Sequence, residues 1–90
     1  MAIFVWDEPK RLANFALHAL DFADAGTGFD WDGAVTHSSR HGRERFKSIG
    51  MFGGRLIVVI FAPLGTEAIA IVSMRPASAK ERRLYEQAQA

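Results

Sequence analysis

The spacing of apolar and polar residues changes several times along this chain, and each change marks an element. Ile3 to Val5 is a short apolar run that reads as a strand. Asp7 stands where a helix N-cap belongs, with Glu8 and Pro9 in the first turn. The first backbone N–H groups of a helix lack partners, so a carboxylate acceptor, a second acid and a proline without a donor are favoured there. A helix is predicted over Glu8–His18. At about 100° per residue, Leu12, Phe15, Ala16 and Ala19 fall on one side, and Lys10, Arg11, Asn14 and His18 on the other. Asp21 and Asp24 suggest a second cap and a short helix from Phe22 to about Gly26. Gly26, Gly28 and Gly33 then interrupt regular structure, and Asp30-Trp31-Asp32-Gly33 reads as a turn. Val35 begins a short strand, and His37 to Gly42 is a polar loop.

Three longer strands follow. The first runs from about Glu44 to Met51. Gly53-Gly54 is a two-residue hairpin signal. The second runs from Arg55 to Ala62, and its Leu-Ile-Val-Val-Ile-Phe centre implies burial on both faces. Pro63-Leu64-Gly65-Thr66 makes the next turn, and the third strand runs from Glu67 to Arg75. Tight turns join the three into an antiparallel meander. Pro76 stops the last strand, and Ser78 with Glu81 forms the S-x-x-E capping box of a final helix to about Gln87. The expected fold is α+β: a small antiparallel sheet of three main strands plus short N-terminal strands, two N-terminal helices and one C-terminal helix.

Composition narrows the chemistry. Ninety residues support a single domain, residues 1–90. There are no cysteines, which removes disulfides, thiol nucleophiles and thiolate metal sites and fits a reducing cytoplasm. The longest apolar run, Leu56 to Leu64, is too short to span a bilayer, and no basic segment precedes an apolar one as in a secretory signal. The net charge of +1 conceals an asymmetry: residues 1–34 carry two basic and six acidic side chains, residues 35–90 nine basic and four acidic. A basic region on a nearly neutral chain attracts phosphates locally, unless it only pairs with its own acids. His37 and His41 have the i, i+4 spacing of metal ligands on a helix, but Ser38, Ser39 and Gly42 do not make one, so no metal or other cofactor is expected. Gly50, Gly53 and Gly54 lack the strand–loop–helix setting of a phosphate-binding loop.

Five segments taken together resemble one family. They are Phe4-Val5-Trp6-Asp7-Glu8-Pro9-Lys10; Asn14, His18 and Phe22; Arg45-Phe46 with Ile49-Gly50; Gly54-Arg55-Leu56 through Val59; and Ser73-Met74-Arg75, Ala77 and Glu81-Arg82-Arg83-Leu84-Tyr85. In this order they are similar to the BrnT ribonuclease toxins of bacterial toxin–antitoxin pairs. Leu17 stands where the family usually has lysine and Ala19 where it usually has glycine, which changes how the helix must end. The resemblance implies a RelE-like fold, a small sheet with helices on one side. It implies metal-independent RNA cleavage that stops translation and growth. It implies a BrnA-type antitoxin with a ribbon-helix-helix part, a toxin homodimer within a toxin–antitoxin heterotetramer, and operator DNA bound only through the antitoxin.

Metal-free RNA cleavage uses the 2′-hydroxyl as nucleophile. It needs a base near that hydroxyl, an acid near the leaving 5′-oxygen and fixed cations around the phosphorus. Arginine suits the last task because its planar fork holds phosphate in two places. Arg75, at the end of a strand, is a candidate phosphate clamp, or it pairs with Glu67 or a helix carboxylate; strict alternation puts Glu67, Ser73 and Arg75 on one face. Arg45 and Lys47 either track the RNA backbone or protect an edge strand by charge. Lys10 opposes the dipole of its helix, a local conflict that hints at a role elsewhere. His18 is a candidate acid or base, or it caps its helix. Glu44 and Glu67 are the available carboxylate bases. Arg82 and Tyr85 share a helix face and are candidate phosphate contacts. Trp6 is either a stacking platform for a base or core, and Trp31 is a hydrophobic anchor, with a partner chain one candidate for what it holds. The rival readings are a non-catalytic nucleic-acid-binding module and a partner-binding module.

Overall fold

The fold is described from a computed structural model, for residues 2–39 and 44–90. Strand β1 is Ile3–Trp6, helix α1 Glu8–His18, helix α2 Ala25–Gly28, strand β2 Val35–Ser38, β3 Phe46–Phe52, β4 Arg55–Leu64, β5 Ala68–Pro76 and helix α3 Ala79–Gln89. A 3-10 turn, Phe22–Asp24, runs directly into α2 where a single short helix was expected. The sheet has five strands in the order β1-β5-β4-β3-β2. The meander β3-β4-β5 is antiparallel as expected, with β2 antiparallel to β3, while β1 joins the other edge parallel to β5.

The caps explain the helix boundaries. The Asp7 carboxylate accepts the Lys10 backbone N–H at 3.2 Å and starts α1. Ser78 and Glu81 close a reciprocal capping box at the start of α3. Gly53 and Gly54 take φ of 56° and 80°, the left-handed pair that a two-residue hairpin of matching twist requires. β4 runs on through Pro63 to Leu64 instead of turning. Past Phe61 it has no β3 neighbour, so a missing N–H there breaks no ladder.

β4 is buried on both faces and divides the core. Ile57 and Val59 meet Leu20, Phe22, Ala25, Phe29, Ile71 and Met74 under the 3-10 turn and α2. Leu56 and Val58 meet Ile49 on the other face, with Met51, Ile60, Ala77, Leu84 and Tyr85 packed against them under α3. Helical structure therefore covers both faces, whereas the resemblance implied helices on one. Trp31 belongs to this chain's own interior. Its ring lies 5.6 Å from Phe4, 4.8 Å from Phe29 and 5.5 Å from Phe61, and its indole N–H donates to the Ala25 carbonyl at 2.8 Å.

Helix α1 turns its polar side inward. Arg11, Asn14 and His18 are partly buried, while Leu12, Phe15 and Leu17 are 56%, 51% and 76% exposed. The cause is the sheet edge it covers. β1 pairs with β5 only from Ala68 to Ile71, which leaves the next amides of β5 without a strand partner. Asn14 Oδ1 accepts the Met74 N–H at 3.2 Å and the Ser73 hydroxyl at 3.3 Å, and its Nδ2 donates to the Leu20 carbonyl at 3.1 Å. Arg11 donates to both Asp21 oxygens at 3.0 Å. An edge that offers hydrogen-bonding groups selects a polar helix face.

The helix ends at Ala19, in the left-handed region at φ 56°, with its N–H on the Phe15 carbonyl. A side chain there is strained by roughly 1–2 kcal/mol. Ala19→Gly is expected to raise stability by about 0.5–1 kcal/mol after the added chain entropy of glycine is subtracted. Thermal unfolding checks this, and a melting temperature at or below that of the parent refutes it.

Candidate active site

Register assigns side chains to the two sheet faces. Arg75 pairs with Val58 and Ile49 in one row, and Ser73 with Ile60 and Lys47 in the next. These rows belong to the face that α3 covers. His37, opposite Lys47 on β2, joins them.

On this face α3 starts immediately after β5, which brings Glu81 back over Arg75. The Arg75 guanidinium donates from Nη1 to Glu81 Oε1 at 2.7 Å and from Nη2 to Oε2 at 2.8 Å. Lys47 Nζ donates to the same Oε2 at 3.1 Å. The Ser78 N–H donates to Oε1 at 2.8 Å. Each carboxylate oxygen thus accepts two hydrogen bonds, the practical limit for the group. The Glu81 side chain is only 5% exposed, against 35% for Arg75 and 28% for Lys47. Two cations therefore stand in front of one buried anion, and the cluster carries a net charge of +1. The Arg75 guanidinium, the Ser78 N–H and the Lys47 ammonium hold the Glu81 carboxyl well below the usual carboxylate range, against the opposing effect of burial. With both oxygens already engaged by four donors, Glu81 is poorly placed to take a proton from substrate as a general base.

Among the described residues, none of the remaining sequence candidates hydrogen-bonds through its side chain to this cluster. Arg45 stands just before β3, partly buried, and its carbonyl accepts the Ser39 N–H. It continues the alternation of Lys47 by two residues. Lys10 is exposed on α1, one turn before Asn14, whose amide reaches the Ser73 hydroxyl on the Arg75 face. His18 lies one turn after Asn14 on the inward side. Tyr85 follows Glu81 by one turn and packs on the second core, while Arg82 is exposed. Trp6 is in register with Ile71, on the opposite face, with its N–H on Glu8 at 3.1 Å.

Glu67 requires a correction. A register shift between Ile60 and Phe61 leaves Val72 as the extra residue of β5, so alternation does not carry from Ser73 back to Glu67. Glu67 sits in the turn before β5, and at about 3.3 Å per residue the strand separates it from Arg75 by roughly 25 Å. Arg75 pairs with a helix carboxylate, the other alternative. The cap pattern alone does not reveal this second role of Glu81; the signal for it in the sequence is that the carboxylate follows a strand-terminal arginine by six residues, close enough to fold back on it. Among the described residues no group of acids and histidines could hold a metal ion, and His41 lies outside the described residues.

The lowered Glu81 pKa has a pH consequence. A depressed folded-state carboxyl contributes stability above its ordinary unfolded value, about 4.3, and loses it as pH falls below that value. Urea unfolding of the parent and of Glu81→Gln is expected to show a gap in stability at pH 7 that narrows towards pH 3, at up to about 1.4 kcal/mol per pH unit. A gap independent of pH would contradict the ion cluster.

Comparison with known proteins gives one consistent picture. The family model described as ribonuclease toxin, BrnT, of type II toxin–antitoxin system matches residues 6–81. Among solved structures, the Brucella abortus ribonuclease toxin BrnT is 40% identical, with a TM-score of 0.71 over 87% of this chain and 99% of that one. No curated protein matches. The match includes Arg75, Lys47 and Glu81 together with the α+β frame that carries them, and the chain belongs to the BrnT family of ribonuclease toxins of type II toxin–antitoxin systems.

Proposed function

We propose that this protein cleaves RNA endonucleolytically without a metal ion, and that Arg75 and Lys47 grip the phosphate being split. The observation that carries this reading is the pair of half-exposed cations converging on one buried carboxylate. Negative charge builds on the non-bridging oxygens as the ribose 2′-oxygen attacks phosphorus, and fixed cations stabilise it without a metal. The 2′-oxygen–phosphorus bond forms, the bond to the 5′-oxygen breaks, and the products are a 2′,3′-cyclic phosphate and a 5′-hydroxyl. One proton leaves the nucleophile and one reaches the leaving oxygen. His18 is the candidate for one of these transfers, since a neutral imidazole carries one nitrogen that donates a proton and one that accepts. Lys10 and Arg45 are further candidate phosphate contacts, Arg82 and Tyr85 are candidates on α3, and Trp6, on the opposite face of edge strand β1, is a candidate base-stacking platform only for RNA that passes around that edge. Glu67 is left out of the chemistry by its distance.

The cellular reading follows the family. The toxin halts translation and growth in the cytoplasm and is neutralised by a BrnA-type ribbon-helix-helix antitoxin. Two toxin chains pair within a heterotetramer, and operator DNA is bound through the antitoxin. No described helix is long and apolar enough to cross a membrane. Incubating the purified protein with RNA in excess chelator tests the chemistry. Cleavage leaving cyclic-phosphate ends is expected. Cleavage that vanishes in chelator sinks the metal-free mechanism, and binding without cleavage favours a nucleic-acid-binding module.

A further inference from the structure

We propose that Glu81 is a positioning residue of the ribonuclease, one that occupies the terminal fork of Arg75 so that the lateral edge of the guanidinium is presented to the RNA phosphate. This rests on the reading of Arg75 as phosphate clamp. An arginine has five N–H donors and two edges able to hold an oxyanion bidentately, the terminal Nη1/Nη2 edge and the lateral Nε/Nη2 edge. Glu81 takes the terminal edge through one N–H from each Nη. Nη1 is drawn further inward by the Pro76 carbonyl at 3.3 Å. Among the described residues nothing accepts from Nε or from the second N–H of Nη2, and these two donors form the lateral fork. The carboxylate is buried and the guanidinium half-exposed, so the committed edge faces the protein. Among the described residues Lys47 Nζ bonds only to this same carboxylate oxygen, which leaves two of its three N–H donors for a phosphate.

The arrangement freezes a flexible arginine with one fork spent and the other ready. A phosphate then meets two oriented cations whose combined charge is partly balanced from behind. Without the carboxylate, Arg75 and Lys47 repel each other and the long side chains lose their fixed placement. A misplacement of about 1 Å at a reacting centre costs on the order of 10²-fold in rate. Glu81 therefore acts on rate through placement, while its negative charge opposes RNA binding.

Glu81→Gln separates these roles. Glutamine also serves in a capping box, so α3 keeps its start, but the bidentate ion pair and one negative charge are lost. The expected result is a kcat lower by about 10- to 100-fold, with unchanged or tighter binding of an oligonucleotide blocked by a 2′-deoxy sugar at the cleavage point. The parent protein supplies a second measurement that does not depend on the variant folding. In arginine side-chain nitrogen NMR, addition of the blocked oligonucleotide should shift Arg75 Nε while the slow rotation of its Nη groups, held by Glu81, persists. Cleavage by folded Glu81→Gln at or above the parent rate, or release of the Nη groups on oligonucleotide binding, overturns the proposal. If Arg75→Ala itself cleaves normally, the clamp reading falls. If Arg75→Ala is inactive and Glu81→Gln is fully active, only the role of Glu81 falls.

Discussion

Arg75→Ala is expected to lower RNA cleavage by roughly 10²- to 10³-fold, the range seen when one pre-oriented donor to a developing oxyanion is removed. The effect is large because Arg75 brings charge and a planar fork to a half-buried position where water competes poorly. Arg75→Lys keeps the charge and loses the fork, so it should recover only part of the lost rate. The variant also has a folding consequence. Glu81 keeps the Ser78 N–H and Lys47, so its carboxylate is not stranded, and the loss of stability should stay near 1–3 kcal/mol. Single-turnover cleavage together with a thermal melt separates the two effects. A folded Arg75→Ala that cleaves at the parent rate would remove the phosphate clamp from the mechanism.

The legible parts of this chain are those governed by neighbours in sequence. Asp7 with Pro9, Ser78 with Glu81, and Gly53-Gly54 each act within a few residues, and α1, α3 and the β3-β4 turn form where they point. The run from Leu56 to Val59 announces a strand buried on both sides, and both cores close around it. What was not legible depends on partners far along the chain. The parallel pairing of β1 with β5 joins residues more than sixty positions apart and leaves no periodic trace. The register shift near Ile60 breaks alternation without a glycine or proline at the shift itself, and it removes Glu67 from the face of Arg75. Pro63 reads as a turn only if both its neighbours are assumed to be strands; with one side open it continues β4. The candidate site was half visible: Arg75 and Lys47 could be named, but the carboxylate that joins them was already accounted for as a cap.

Asn14→Leu should be among the most destabilising single changes on α1, although apolar pattern alone would score it as an improvement. The substitution removes the acceptor for the Met74 N–H and the Ser73 hydroxyl and the donor to the Leu20 carbonyl. Met74 and Leu20 are 0% and 1% exposed, so their stranded backbone groups gain little from water. Each buried unpaired group costs about 1–3 kcal/mol, which gives a loss of roughly 3 kcal/mol with partial relaxation. A domain of this size has about 5–15 kcal/mol in total, and the melting temperature should fall by more than about 10 °C. Leu12→Lys on the outer side of the same helix removes an exposed apolar residue and should stay within about 0.5 kcal/mol of the parent. The two melts measured together decide the orientation of α1. Were Leu12→Lys the damaging change and Asn14→Leu the neutral one, the helix would pack by its apolar stripe. The edge of β5 would then need another cover, and Asn14 would face away from Ser73 and Met74.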